Sequence, residues 1–323
     1  MSTRSSRSAP LRRFLIWAAT AAICAAPQML AAPAQAATNP RLVSASTSTG
    51  SEVAFQANTH DLSLLGPAAS GDAGYGLLPG TSPAITSVAG GFEVAFQGNS
   101  GDLWKTGALG SADTGAGMLN GTSPAITAVP GGVQIAFQAN SGHLWTIGPL
   151  GSGDLGFGMA AGTSPAITAV AGGYEIAFQA NTGNVWRVGT AGVGDLGFGM
   201  APGTNPAIVA LAGGGFEVSF QANTGNVWVT GPVNLGDLGL GMKAATSPAI
   251  AALSSGGIVV SFQANTGNLW AVEPGTSFGG DLGLGMKAAT SPSVATLANG
   301  DIQFAFQANT GHIWTNPPGF PLV

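Results

Sequence analysis

From Asn39 onward, apolar and polar positions alternate in short runs broken by glycine. In Tyr174-Glu-Ile-Ala-Phe-Gln179, the side chains of Tyr174, Ile176 and Phe178 share one side and those of Glu175, Ala177 and Gln179 the other. That period of two predicts a β-strand. Ahead of it, Ser164-Pro165-Ala-Ile-Thr-Ala-Val170 reads as a short apolar strand, and Ala171-Gly172-Gly173 as the turn joining the two. Behind it, Asn181-Thr182-Gly183 predicts a hairpin turn, because Asn caps a turn with its own side chain and Gly accepts a positive φ. Val185-Trp-Arg-Val188 then reads as a third strand, and Gly194-Asp-Leu-Gly-Phe-Gly-Met200 as a glycine-rich outer strand or strand-like loop.

The same unit recurs. Phe-Gln-x-Asn starts at Phe55, Phe96, Phe137, Phe178, Phe220, Phe262 and Phe306, at intervals of 41, 41, 41, 42, 42 and 44 residues. A fixed period of this length marks an array of one supersecondary unit. Three or four strands per unit is the content of one propeller blade. The prediction is therefore an all-β, seven-bladed β-propeller built from seven repeats of ~41 residues, occupying 37–323. A small residue precedes every repeated Phe (Ala54, Ala95, Ala136, Ala177, Ser219, Ser261, Ala305), which lets neighbouring sheets approach while the Phe fills the gap. A Ser/Asn-Pro pair also occurs seven times, from Pro40 to Pro292, but the Asp-bearing glycine-rich segment occurs only six times, from Asp72 to Asp281. The last blade is then either short or completed by Phe320–Val323. A linear solenoid is the alternative; it would need polar capping units, which neither end supplies.

The N-terminus changes the picture of what is exported. A basic stretch ending at Arg13 precedes an apolar run from Phe14, and Ala34-Gln35-Ala36 supplies a small-x-small cleavage pattern. Residues 1–36 are expected to be a secretory signal peptide cut after Ala36. Arg12-Arg13 ahead of Phe14-Leu15 also admits twin-arginine export, with the Sec route preferred. The only cysteine, Cys24, falls in this leader, so the remainder is predicted to rest on burial without disulfides. Beyond Ala36 there are five basic residues against 14 acids, a net charge of -9. Neither nucleic acid nor an anionic membrane surface suits that balance, since both need a basic footprint; no membrane insertion is expected after leader removal.

Within the repeat, Trp104, Trp145, Trp186, Trp228, Trp270 and Trp314 occupy one position, where the first unit has Ser63. An indole face matches the C–H face of a sugar ring, and the same residue is what a glycine-rich β architecture would use for burial; both readings stand. Gln56, Gln97, Gln138, Gln179, Gln221, Gln263 and Gln307 either satisfy backbone groups between blades or line a polar pocket. The Asn that follows two residues later, as at Asn181, reads as a turn cap. Glu52, Glu93, Glu175 and Glu217 share one site that becomes Gln134, Val259 and Gln303 elsewhere. Because no acid breaks the repeat, no general acid/base pair is expected. His60, His143 and His312 fall in turn regions without metal-ligand spacing. No catalytic residue, cofactor or metal is predicted, and the chain is expected not to be an enzyme.

With these residues in view, units of the form Ser-Pro, then (Tyr/Phe)-Glu-Val-Ala-Phe-Gln-Ala-Asn-Thr-Gly-Asn-Leu/Val-Trp, as from Phe262 to Trp270, resemble the seven-bladed propeller lectins of the Photorhabdus type. More distantly they are similar to fungal fucose-specific and tachylectin-like propellers. The resemblance covers about Asn39 to Thr315 and implies binding of fucose or O-methylated glycans in pockets between blades. Trp104, Trp145, Trp186, Trp228, Trp270 and Trp314, with Gln97, Gln138, Gln179, Gln221, Gln263 and Gln307, are the expected ligand-binding set. The chain departs from those lectins in its Gly-Asp-Leu-Gly-x-Gly-Met segment and its sparse charge. A secreted glycan-binding protein is the leading expectation, ahead of a structural or protein-interaction propeller of the cell wall or extracellular space, and of a propeller glycosidase.

Overall fold

The computed structural model describes residues 43–47, 50–233 and 235–316, all within the unit Pro33–Val323. The expected leader, Pro40 and the closing segment Phe320–Val323 lie outside the described residues. The described residues form 27 strands and no helix, in seven antiparallel sheets. Six sheets have four strands and the last, blade 7, has three. The seven-bladed, all-β prediction holds.

Blade 4 illustrates how the pattern becomes structure. Its strands are Ala166–Val170, Gly173–Gln179, Asn184–Gly189 and Gly192–Gly199, paired in chain order. The glycine-rich segment is thus a regular outer strand. A bulge between Asn184 and Trp186 offsets it, so that Trp186 lies opposite Asp195. Asp195 fixes this strand from both sides: Oδ1 accepts the Gly197 N–H at 2.8 Å, and Oδ2 accepts the Asn184 amide at 2.8 Å. Blades 5 and 6 repeat the arrangement with Asp237 and Asn226, and Asp281 and Asn268. The recurring aspartates are therefore turn-fixing groups.

The alternation seen in sequence sends opposite faces of one strand to opposite neighbours. Ala136 and Leu144 of blade 3 pack with Ile176 and Phe178 of blade 4; Ala177 and Val185 of blade 4 pack with Val218 and Phe220 of blade 5. Seven such clusters fill the seven gaps between sheets. The last joins Ala305 of blade 7 to Val53 and Phe55 of blade 1, and the first strands of these two blades also meet. The array is closed, which removes the linear-solenoid alternative.

First strands line the axis. There, the Ser82 N–H donates to Ser123 Oγ, Ser123 to Ser164, Ser164 to Asn205 Oδ1, Asn205 to Ser247 and Ser247 to Ser291, all at 2.7–2.9 Å. This belt gives Ser123, Ser164, Asn205, Ser247 and Ser291 a structural role: each satisfies a backbone donor of the preceding blade.

Among the described residues, three other than glycine hold a left-handed backbone: His60 (φ 68°), Ala245 (φ 61°) and Ala289 (φ 61°). Each stands where sister blades carry glycine, for example Gly183 and Gly203. A side chain costs about 1–2 kcal/mol in this region. Replacing either alanine by glycine is expected to raise stability by roughly 0.5–1 kcal/mol after the unfolded-state entropy is counted, read as an increase in the urea midpoint.

Candidate functional site

The groove between adjacent blades is built from three elements: the Phe strand of one blade, the Trp strand beside it, and the outer strand of the preceding blade. Phe178 and Trp186 are register partners, and Phe157 from the outer strand of blade 3 reaches both, with ring centroids 6.2 Å away. Tyr75 plays this part for Phe96 and Trp104, and Phe198 for Phe220 and Trp228. At Trp145 the preceding strand supplies Ala116 instead, and at Trp270 it supplies Leu238 and Leu240.

These five indoles are half-buried against the inter-blade cores. The polar edge is the closed part: Nε1 of Trp145, Trp186, Trp228 and Trp270 is buried without a hydrogen-bond acceptor. Trp145 Nε1 does lie near Asp154, adding to the lowering of that carboxyl below its usual value. The larger causes are the Gly156 N–H, which donates to it, and His143, whose Nδ1 sits 2.9 Å from Oδ2. Trp314 differs from the rest. It is 52% exposed, belongs to no inter-blade cluster, and sits on a third strand that has no outer neighbour among the described residues.

The glutamines sit behind the indoles. Gln97, Gln138, Gln179, Gln221, Gln263 and Gln307 are all essentially sealed from solvent. Gln97 Nε2 donates to the carbonyls of Gly101 and Met118, Gln221 to Met242 and Lys243, and Gln263 to Met286 and Lys287. Gln138, Gln179 and Gln307 likewise donate to backbone carbonyls. Each amide holds its own hairpin or the chain crossing to the next blade. Gln56 makes the most complete version, donating to Leu78 O and accepting the Gly80 N–H. The structure thus brings tryptophans and glutamines to the same interface but presents only the indoles to the groove.

The repeated acids have a role that the sequence reading left blank. Glu52, Glu93, Glu175 and Glu217 are fully buried and fasten the loop between third and fourth strands. Glu52 accepts the N–H groups of Ala68 and Ala69, Glu93 that of Leu109, and Glu217 that of Val233. Glu175 accepts the Ala191 N–H, and its other oxygen is buried without a hydrogen bond, 4.0 Å from Arg187 Nη1. Lys105 pairs with Glu93 at 3.2 Å. A glycine fourteen residues on makes room for each acid: a Cβ on Gly107 or Gly231 would come within 2.8 Å of the carboxylate. The co-occurrence of Glu or Gln with Gly at that spacing was the available signal.

Burial pushes Glu52 and Glu175 above the usual 4.5, against the lowering from their backbone hydrogen bonds. A carboxyl raised in the folded state binds its proton more tightly there than in the unfolded chain. Its stabilisation is therefore full in acid, below 4.5, and is lost as pH rises through the raised folded value. Glu175→Gln keeps an acceptor for Ala191 and removes a buried charge whose desolvation outweighs its distant pairing with Arg187. It is expected to flatten this part of the stability–pH profile and to add about 1 kcal/mol at neutral pH. Melting temperatures of both proteins across the acid-to-neutral range test this; a variant less stable than wild type at neutral pH contradicts it.

Among the described residues no three His, Cys, Asp or Glu side chains approach closely enough to hold a metal ion. No family model and no curated protein sequence matches the chain. Its fold is similar to that of solved propellers. One is the Aleuria aurantia lectin, described as a fungal lectin with a six-bladed β-propeller fold and a novel fucose recognition mode: 14% identity over 90% of this chain and 95% of that one, TM-score 0.55. Another is BBS1N, solved in complex with ARL6DN: 10% identity, 90% and 96% covered, TM-score 0.55. The mutant AofleA of Arthrobotrys oligospora matches at 14% identity over 75% and 88%, TM-score 0.52. At these identities the likeness is one of fold, and this chain has seven blades.

Proposed function

We propose that this chain is a secreted, non-enzymatic, lectin-like protein that binds saccharides in the grooves between blades, with fucose or O-methylated sugars as the first ligands to test. The supporting observation is the row of half-buried indoles along the inter-blade grooves, four of them with the N–H edge closed off. A sugar would stack its C–H face there and meet groove polar groups with its hydroxyls. The glutamines contribute by holding the groove wall in place. One such shallow site is worth around -4 kcal/mol, a millimolar affinity, and several on one rigid ring would raise avidity by about 10²–10⁴ on a surface presenting many sugars.

Titration with methyl α-fucoside and O-methylated monosaccharides, followed by tryptophan fluorescence and a glycan array, tests this reading. A spectral change that saturates, and that weakens in Trp186→Ala and Trp314→Ala, supports it. A second reading, a protein-interaction propeller, is favoured by the burial of all seven glutamines and four indole N–H groups in structural positions. It expects those substitutions to alter stability alone, with no saccharide bound by the wild type.

A further inference from the structure

The first strands enclose a cavity on the axis that the saccharide reading does not use. In blades 2 to 6 the Ser/Asn-Pro pair is followed by Ala-Ile, and in blade 7 Ser291-Pro292 is followed by Ser293-Val294. The repeat therefore sets the same short apolar run around the axis blade after blade. The resulting cavity measures about 180 Å³, with Pro124, Ala125, Ile126 and Ile208 in its wall. An apolar cavity of roughly 150 Å³ already holds a benzene molecule.

At one end the wall turns polar. Ser82, Ser123 and Ser164 line both this cavity and a smaller one of about 40 Å³, which Asn205, Ser247 and Ser291 also line. These are the belt residues. Oγ of Ser123, Ser164, Ser247 and Ser291 and Oδ1 of Asn205 each accept a backbone N–H. That use leaves the four hydroxyl protons and the Asn205 amide protons to give, and among the described residues they meet no acceptor. Ser164, Ser247 and Ser291 are sealed, at 6%, 4% and 5% exposure, so bulk water does not readily serve them. Five donor groups thus ring one end of an apolar cavity whose lining carries no charged residue.

A cation gains nothing from such a ring, because the oxygens already hold N–H groups. An ionised carboxylate is an acceptor only, with about four lone-pair sites, whereas a hydroxyl offers about two. Converging neutral donors are also the arrangement that stabilises an oxyanion without a counter-charge. We propose that the axial cavity binds a short linear alkyl carboxylate, with its head in the Ser/Asn ring and its chain along the Ala-Ile wall. The assignment is independent of saccharide binding between the blades.

The test is calorimetric titration of the whole protein with acetate, butanoate and hexanoate, and with 1-hexanol and hexylammonium chloride as controls. Each methylene added from acetate to hexanoate is expected to tighten binding about three- to fourfold, as burial of the chain implies. Hexanoate should bind at least about tenfold more tightly than 1-hexanol, in line with charge-assisted hydrogen bonds being roughly twice as strong as neutral ones, and hexylammonium should give no heat. Ala125 is only partly buried in the cavity wall, so Ala125→Leu narrows the cavity and should weaken hexanoate at least about tenfold. Crystals grown with 6-bromohexanoate place the site without any substitution: the bromine should lie on the axis beside Ile126 and Ile208, with the carboxylate at Ser164 and Ser247. That position decides the matter should Ala125→Leu fail to fold. Equal binding of 1-hexanol or hexylammonium, affinity independent of chain length, bromine away from the axis, or water alone in the ring with no heat from hexanoate each overturns the proposal.

Discussion

Phe178→Ala is expected to destabilise the protein by about 3–5 kcal/mol, near the top of the range for single core truncations. The ring is fully buried and spans the gap between blades 3 and 4, touching Ala136 and Leu144 on one side and Ile176 on the other. Both walls are hydrogen-bonded sheets that cannot close over a missing ring, so the cavity term adds to the lost transfer energy. Phe220→Ala should cost as much, since its surroundings repeat blade by blade. Phe55→Ala should cost less: Phe55 retains some exposure, and among the described residues its cluster with Val53 and Ala305 is the smallest of the seven. Urea denaturation at unchanged slope is the measurement. A loss under about 1.5 kcal/mol at Phe178 would mean that the repeated phenylalanines do not carry the inter-blade core.

The architecture was legible because two signals of different period agree. Alternation within Tyr174–Gln179 sets the strand, and recurrence of Phe-Gln-x-Asn sets the number of sheets. Small residues before each Phe pointed to close sheet contact, and Ala136 and Ala177 do lie in the inter-blade clusters. The glycine-rich fourth segment was ambiguous because it lacks β-branched residues; Asp195, accepting from Gly197 and Asn184, fixes its strand, while Leu196 and Phe198 pack against blade 5. Closure of the ring was legible only as an inference from the absence of capping units, whereas the structure displays it in the cluster joining Ala305 to Phe55.

The candidate site was half legible. A repeated Trp announces an interface, but spacing does not reveal that the indole is half-buried with its N–H sealed, as at Trp186. A repeated Gln announces a polar requirement without saying whether ligand or backbone satisfies it. Here backbone carbonyls take the amide, as Gln97 and Gln263 show. The buried acids were least legible, because their partners are backbone N–H groups about sixteen residues away, such as Glu217 with Val233. A loop donor leaves no side-chain signature.

The acid–glycine pairing makes the second large-effect prediction. Gly231→Glu alone should cost about 3 kcal/mol or more, because it overpacks a filled site and sets two carboxylates together. Even a Cβ at Gly231 would lie 2.6 Å from both Glu217 Oε1 and the Phe216 carbonyl. Glu217→Val alone should cost about 1–3 kcal/mol by stranding the Val233 N–H, which loses its acceptor. Together the two changes write the blade 6 pair, Val259 with Glu273, into blade 5. The double variant should then be more stable than Gly231→Glu, with a coupling energy of at least about 1.5 kcal/mol in the double-mutant cycle. The coupling follows from steric room: removing the buried carboxylate vacates the space the new side chain must cross on its way to solvent. Additive costs within about 0.5 kcal/mol would show that the inversion in blade 6 depends on its longer Glu273–Phe278 loop and not on the exchange of these two residues.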